Sequence, residues 1–191
     1  MDKVTILQIF DLDETFFRMP GYTSKKHVEK EDLKFDTPYS FYDHPASLCE
    51  ESHNIQLISP VYDFWKQGFA DPEIASVLIT HRVAALENKV SEILEKRGIE
   101  FDKMFFLGRK TDKVTKAEEL LAKLPHLKEI RVFEDSIQQL DKYQSYFNYV
   151  NETLFIANEP TLDVKLYIVD KSKMYRIQNF KLSEETRIKL I

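Results

Sequence analysis

Short apolar runs alternate along the chain with segments whose apolar residues recur every three or four positions. Runs of the first kind predict buried strands, here over residues 4–10, 75–79, 103–107 and 129–133. Segments of the second kind predict helices, here over residues 61–69, 83–97, 116–124 and 137–146. Because alternating strands and helices build a parallel sheet covered on both faces, the pattern predicts an α/β fold.

The helix at residues 116–124 has the most clearly marked ends. Thr115, followed three residues later by Glu118, fits a capping box, and Pro125 fits a helix stop. The pattern therefore predicts that Lys116 opens this helix.

The last part of the chain has a different pattern. The apolar run 154–157 predicts a final core strand, and residues 164–169 and 174–177 flank a polar turn as the strands of a hairpin would. Ser183 is expected to cap a short terminal helix. This tail is expected to extend the same domain.

Length and composition fit one core of ordinary size with an insertion. The chain has 191 residues, of which 43% are hydrophobic and 31% charged. No apolar run approaches the roughly 18 residues of a membrane span, and the start lacks the features of a secretory signal, so we expect a cytoplasmic protein with no membrane contact. Cys49 is the single cysteine, which excludes an intramolecular disulfide.

Charge and glycine content exclude several classes of binding protein. The net charge of -5 argues against broad binding to duplex nucleic acid, although residues 109–116 form a local basic patch. The four glycines are too scattered for a P-loop or a glycine-rich dinucleotide loop.

Polar residues follow each predicted strand at its carboxyl end. They are Asp11, Asp13 and Thr15 after the first strand, Thr80, His81 and Arg82 after the second, a lysine-rich loop after the third, and Glu134 and Asp135 after the fourth. In open parallel sheets, ligands bind beyond these ends. Because clustered carboxylates repel each other, they indicate a compensating cation or phosphoryl group, and we predict a magnesium-dependent phosphoryl-transfer site.

The order and content of these four motifs resemble the haloacid dehalogenase-like hydrolase superfamily. Its pattern is an apolar strand with D-x-D-x-T, a strand with Ser or Thr, a lysine near a helix start, and a strand with paired acids. The strings Phe10–Pro20, Tyr42–Leu48 and Val77–Arg82 more closely resemble the haloacid dehalogenase-type domain of Swiss-army-knife RNA-repair-like proteins. His81 replaces a usual Gly, and Tyr42 a usual Trp.

The resemblance implies roles for the strand-end residues. Asp11 would attack phosphorus and form an aspartyl-phosphate, and Asp13 would protonate the leaving oxygen and then activate water. Thr80 would hydrogen-bond a phosphoryl oxygen. A lysine would neutralise the phosphoryl charge, and we choose Lys116 at the predicted helix start, with Lys110 and Lys113 as competitors.

The resemblance also implies a metal and a substrate-binding region. Mg²⁺ would be held by Asp11, the backbone carbonyl of Asp13 and Asp135, with Glu134 as an alternative or outer ligand. Substrate contacts are assigned to Thr15, His81, Arg82 and Tyr42.

The superfamily places a cap after its first motif, which implies a cap at residues 16–71 and a core of residues 1–15 and 72–191. Aromatic side chains in this insert could stack on a nucleobase, namely those of Tyr22, Phe41, Tyr42 and Trp65. The alternative is that they form the insert's own core, which the helical pattern favours for Trp65.

The expected fold is therefore Rossmann-like, with a mainly parallel sheet and a small cap. The expected activity is magnesium-dependent hydrolysis of a phosphomonoester on a nucleotide or a phosphorylated nucleic-acid end. One alternative is a protein phosphatase of the carboxy-terminal-domain phosphatase type, whose signature Asp11–Thr15 also resembles; those proteins lack the long insert. The other is a non-catalytic module that binds a phosphorylated ligand.

Overall fold

A six-stranded, mainly parallel sheet forms the centre of the protein. The computed structural model describes residues 3–20, 37–50 and 53–177. The strands are β1 (Ile6–Phe10), β2 (Phe17–Arg18), β3 (Gln56–Leu57), β4 (Ile74–Thr80), β5 (Lys103–Phe106), β6 (Glu129–Glu134), β7 (Asp163–Asp170) and β8 (Lys173–Arg176). The sheet order is β5-β4-β1-β6-β7-β8, and every pair is parallel except β7 with β8. The predicted α/β fold is confirmed.

Helices cover both faces of this sheet. They are α1 (Pro38–Tyr42), α2 (Ser59–Phe69), α3 (Glu87–Glu95), α4 (Lys113–Leu121) and α5 (Ile137–Ile156), with 3-10 turns at Pro45–Leu48 and Ala84–Leu86. Side chains alternate along β1, so Leu7 and Ile9 pack with α4 and α5, whereas Phe10 packs with α2 and α3. The two apolar clusters hold the layers together and fix the ends of the strands.

The register of the central strands brings the predicted motifs to one edge. Phe10, the last residue of β1, lies opposite Leu78 in β4 and Phe133 in β6. Asp11 and Glu134 therefore follow directly at the same level, and Thr80 lies two residues beyond Leu78.

The apolar run 154–157 is not a strand, and that prediction was wrong. It forms the last turn of α5. At the start of this helix, the Ser136 hydroxyl oxygen caps the helix by accepting a hydrogen bond from the backbone N–H of Gln139. Phe155 and Ile156 are 77% and 83% exposed, so the run does not mark a buried element.

The predicted helix 83–97 divides into a 3-10 turn and α3. Its predicted stop is correct, because Gly98 has a φ of +64° and follows the helix. The hairpin is also confirmed, since β7 and β8 pair in antiparallel fashion. The helix cap predicted at Ser183 lies outside the described residues, as does Tyr22.

Part of the predicted cap packs as core. β2 and β3 form a short antiparallel ribbon. Trp65 of α2 is 2% exposed, belongs to the same cluster as Phe10 and Phe16, and donates its indole N–H to the Glu100 carbonyl at 3.0 Å. The division into a core and a cap of residues 16–71 stays a proposal, and the packing of α2 argues for grouping that helix with the core.

Across the part of the chain that the structure describes, none of the helices has the length and apolar character needed to cross a membrane.

Candidate active site

A cleft of about 450 Å³ opens at the carboxyl ends of β1, β4 and β6. Most of the residues predicted for the site line it. They are Asp11, Asp13, Tyr42, Thr80, His81, Arg82, Glu134 and Asp135. The strand register explains this convergence, because each of the three strands ends at the same edge of the sheet.

Lys113 lies between two buried acids on the floor of the cleft. Its ammonium nitrogen is 2.7 Å from Asp11 Oδ1 and 2.7 Å from Glu134 Oε2. All three side chains are less than a tenth exposed. Burial acts to lower the pKa of Lys113, but the charges of Asp11 and Glu134 outweigh it and raise that pKa, so the lysine is a cation.

Asp11, Glu134 and Asp135 carry more negative charge than this lysine balances. One carboxylate oxygen from each lies within 4.8 Å of the others. Burial, followed by the charge of Glu134, raises the pKa of Asp11 to about 7. Burial likewise raises the pKa of Glu134 to about 7. Asp135 is exposed as a whole residue, but its carboxylate lies in the cluster, where desolvation followed by the charge of Asp11 raises its pKa to about 6. The cluster therefore fits a hard divalent cation, which would stabilise all three ionised forms.

Lys116 does not reach the cleft, which corrects its predicted place in the site. Helix α4 begins one turn earlier than the capping box predicts, since Asp112 caps it by accepting the backbone N–H of Val114 at 3.0 Å. This start places Lys113 at the strand ends. The ammonium of Lys116 instead pairs with Glu119 and lies 5.1 Å from the centre of the Phe105 ring.

The Arg82 guanidinium donates hydrogen bonds to the Asp13 carboxylate. Its Nε lies 2.9 and 3.0 Å from the two carboxylate oxygens, and its Nη2 lies 2.7 Å from Oδ1. Arg82 is 2% exposed, whereas the Asp13 side chain is 30% exposed toward the cleft. The structure therefore places Arg82 against the predicted general acid, and its contact with a substrate stays a prediction.

Thr80, His81 and Tyr42 surround the opening above these charges. The Thr80 hydroxyl oxygen accepts the backbone N–H of Arg82 at 3.2 Å. His81 is exposed at the rim, and burial followed by the charge of Lys113 lowers its pKa. Tyr42 is half-buried and lies with its ring centre 5.7 Å from the Arg82 guanidinium carbon. All three stay candidates for substrate contact.

Thr15 does not line the cleft, and its predicted substrate contact was wrong. The prediction assumed an extended chain through residue 15, but β1 ends at Phe10 and Glu14 has a φ of +54°. The turn sends Thr15 into the core, where it is fully buried. Within the described residues its hydroxyl has no hydrogen-bond partner.

We therefore predict that Thr15→Val stabilises the protein without lowering its activity. Removing a buried, unpaired hydroxyl is expected to raise the free energy of unfolding by about 1 kcal/mol. Thermal and urea unfolding of the variant, beside its phosphate release, measure this. A loss of activity with unchanged stability would contradict the placement of Thr15 in the core.

Ser47 and Arg109 are site neighbours that the sequence analysis missed. Ser47 Oγ accepts a hydrogen bond from Arg82 Nη1 at 2.7 Å, and Arg109 at the rim pairs with Asp43 at 2.8 Å. Ser47 follows no predicted strand, whereas Arg109 belongs to the polar loop after the predicted strand 103–107 but was given no role there. For Lys113 a signal did exist, because the apolar spacing Val114, Ala117 and Leu121 extends the helix back past Thr115.

Comparison with known proteins places the chain among repair-associated domains. The family described as "HAD domain family 1 in Swiss Army Knife RNA repair proteins" matches residues 50–179, a segment that contains Thr80, Lys113 and Glu134 and begins after Asp11 and Asp13. No curated protein matches.

Two similar solved structures are titled "Structure of Pnkp1/Rnl/Hen1 complex" and "Structure of the Pnkp1/Rnl/Hen1 RNA repair complex". Each is 16% identical over 86% of this chain, with TM-scores of 0.48 and 0.44. The match covers 47% and 43% of those chains, so this chain spans less than half of their length.

Proposed function

Because the chain belongs to HAD domain family 1 of Swiss Army Knife RNA repair proteins, we propose that it is a magnesium-dependent phosphatase acting on phosphorylated nucleic-acid ends or nucleotides. The observation that carries the proposal is the contact of Lys113 with both Asp11 and Glu134 at the floor of a cleft that Asp13 also lines. This arrangement offers a nucleophile, a proton donor and a compensating cation side by side.

Asp11 is the proposed nucleophile. Its carboxylate oxygen would form a bond to phosphorus as the bond from phosphorus to the leaving oxygen breaks, which gives an aspartyl-phosphate. Lys113 would hold the attacking carboxylate in place and offset the negative charge of the phosphoryl group. Its fixed position between two buried acids supports this role.

Asp13 is the proposed acid and base. It would give its proton to the leaving oxygen, and then remove a proton from the water that attacks phosphorus and restores the Asp11 carboxylate. Its carboxylate is partly exposed in the cleft, so both the leaving group and the water have access to it.

The acidic cluster supports a magnesium site. Asp11 and Asp135 would hold the ion together with the Asp13 backbone carbonyl. Glu134 would be an outer ligand, held in place by its ion pair with Lys113. A bound Mg²⁺ supplies charge stabilisation for the transferring phosphoryl group. The raised pKa values of Asp11, Glu134 and Asp135 are consistent with this assignment, because burial first and repulsion between the acids second disfavour their ionised forms, which a cation would stabilise.

We predict that Mg²⁺ binds more tightly and stabilises more as the pH rises. The pKa values of Asp11, Glu134 and Asp135 are raised from 3.8, 4.5 and 3.8 to about 7, 7 and 6. Stability that is fully present below pH 4 is therefore lost from the metal-free protein as the pH rises through 6 and 7. The ion must displace these protons, so below pH 6 its affinity should rise by about tenfold per pH unit for each proton displaced.

Thermal unfolding with and without Mg²⁺ between pH 5 and pH 8 measures this effect. The metal-free midpoint should fall over that range, and Mg²⁺ should offset the fall. Equal stabilisation by Mg²⁺ at both ends of the range would contradict a site built on these acids. Ca²⁺ and Na⁺ at matched ionic strength serve as controls.

The substrate class is proposed from the family and from the rim of the cleft. The family is described as a domain of RNA repair proteins. Tyr42, His81 and Arg109 at the rim combine an aromatic ring, an imidazole and a cation, which suit a nucleobase and its phosphodiester. Such a rim is larger than a phosphate group alone requires.

A substrate panel tests the class. Phosphate release with Mg²⁺ would be compared for 3′- and 5′-phosphorylated RNA and DNA oligonucleotides, mononucleotides, sugar phosphates and phosphoserine peptides. We expect the highest kcat/KM for a nucleic-acid end. A preference for phosphopeptides would favour the protein phosphatase, and tight calorimetric binding without product would favour the binding module.

A further inference from the structure

We infer that Arg82 is a positioning residue, which holds the Asp13 carboxylate in the orientation that proton transfer requires and ties it to residues 42–47 of the insert. The inference rests on the proposed function, because it concerns the proton donor of that reaction. It assigns to Arg82 a role different from contact with the substrate.

The hydrogen bonds of Arg82 run in two directions. Nε and Nη2 donate to the Asp13 carboxylate at 2.7 to 3.0 Å. Nη1 donates to the Tyr42 carbonyl and to Ser47 Oγ, both at 2.7 Å. One planar guanidinium group therefore links the turn after β1 to the insert.

These bonds leave Arg82 little capacity for a phosphate. A guanidinium has five N–H groups, and four of those of Arg82 are used by Asp13, Tyr42 and Ser47. The side chain is also 2% exposed. To bind a substrate anion with the same N–H groups, Arg82 would have to break its part-buried ion pair with Asp13.

The backbone of Arg82 is fixed at two points. Its N–H donates to the Thr80 hydroxyl at 3.2 Å, and its carbonyl accepts the N–H of Gly108 at 3.1 Å. The guanidinium thus projects from a rigid strand end. Asp13, in contrast, precedes Glu14 with its φ of +54°, and its side chain is partly open to solvent. A guanidinium held in one position beside a carboxylate limits the rotation of that carboxylate, because its N–H groups bond both carboxylate oxygens.

This contact matters for the chemistry because an acid must lie within hydrogen-bond reach of the leaving oxygen. An Asp13 side chain that rotates freely would meet that oxygen less often. The cost depends on the substrate, since a leaving group that departs as a stable anion does not need a proton. A positioning role therefore predicts that the step forming the aspartyl-phosphate slows more as the leaving group becomes more basic.

Arg82→Lys tests this role, because it keeps the charge and removes the planar fork. With a 3′-phosphorylated oligonucleotide, we expect kcat/KM, which reports the step that forms the aspartyl-phosphate, to fall by about 10²-fold, the lower end of the effect of general acid catalysis. With p-nitrophenyl phosphate, whose leaving group is a stable anion, kcat/KM should change little. Because Asp13 also activates the water that hydrolyses the aspartyl-phosphate, kcat should fall on both substrates.

A double-mutant cycle shows whether Arg82 acts through Asp13. Asp13→Asn should show the same dependence on the leaving group, and adding Arg82→Lys to it should cause almost no further loss. Ser47→Ala removes one acceptor of the guanidinium and should produce a smaller loss with the same dependence. This variant keeps the test decisive even if Arg82→Lys folds poorly.

Arg97→Lys is the matched control, because it makes the same substitution outside the cleft. Arg97 also links a helix to the insert, through the Ile55 carbonyl at 3.1 Å and the Glu50 carboxylate, but it does not line the cleft. The variant should lower the melting temperature without changing the ratio of the two substrate rates.

If the wild-type protein is active, equal losses of kcat/KM on both substrates in Arg82→Lys, or additive losses in the double mutant, would overturn the inference alone. Wild-type protein that releases no phosphate from any substrate in the presence of Mg²⁺ would overturn the proposed function and the inference with it.

Discussion

Asp11→Asn is expected to lower magnesium-dependent phosphate release by about 10³-fold or more, because it removes the nucleophile and leaves every other group of the site in place. The fold should survive this change. The asparagine amide has nearly the same shape, and its oxygen can still accept a hydrogen bond from Lys113, which lies 2.7 Å from Asp11 Oδ1. Initial rates on the best substrate of the panel, beside a melting curve, measure both effects.

Asp63→Asn is the control for Asp11→Asn. Asp63 is an exposed aspartate on α2 and does not line the cleft, so the same change of charge there should leave the rate unaltered. If Asp11→Asn releases phosphate as fast as this control, Asp11 is not the nucleophile.

Lys113→Met is expected to lower both activity and stability. Losing one fixed cation beside the reacting phosphoryl group should reduce kcat by about 10²-fold to 10³-fold. Two buried acids would also lose their shared partner, and breaking a buried ion pair in this way costs about 3–5 kcal/mol. The free energy of unfolding without metal should therefore fall, and part of it should return when Mg²⁺ is added.

Lys116→Met is the comparison for Lys113→Met, because the sequence alone did not decide which lysine lies in the site. The Lys116 ammonium pairs with the exposed carboxylate of Glu119, a solvent-screened surface contact that contributes little to stability. Neither the activity nor the stability of the Lys116→Met variant should differ much from the wild-type values. A larger loss of activity in Lys116→Met than in Lys113→Met would contradict the placement of α4.

The strand ends were predictable because one physical rule fixes them. Buried parallel strands read as apolar runs, and the polar residue that ends each run lies at the carboxyl edge of the sheet. Asp11, Thr80 and Glu134 each end or follow such a run, and the structure places them around one cleft. The family resemblance, which rested on these residues and their neighbours, is confirmed by a family match over residues 50–179.

The errors arose where local signals compete. Asp112 and Thr115 are both good helix caps, and the apolar face that packs against the sheet selects Asp112, which sequence propensity does not reveal. Thr15 was misplaced because the positive φ of Glu14 breaks the alternation of an extended chain. The link between Arg82 and Ser47 joins segments 35 residues apart, so no local pattern indicates it.

In the proposed mechanism, Asp11 carries the phosphoryl group during turnover. Rapid acid quench of the wild-type protein during turnover of its best substrate, followed by peptide mapping, tests it directly. We predict a phosphate on the peptide that contains Asp11, labile to hydroxylamine and absent from Asp11→Asn. Active protein with no phosphorylated peptide at any quench time, together with inversion of configuration at phosphorus, would show that water attacks directly and would contradict the account.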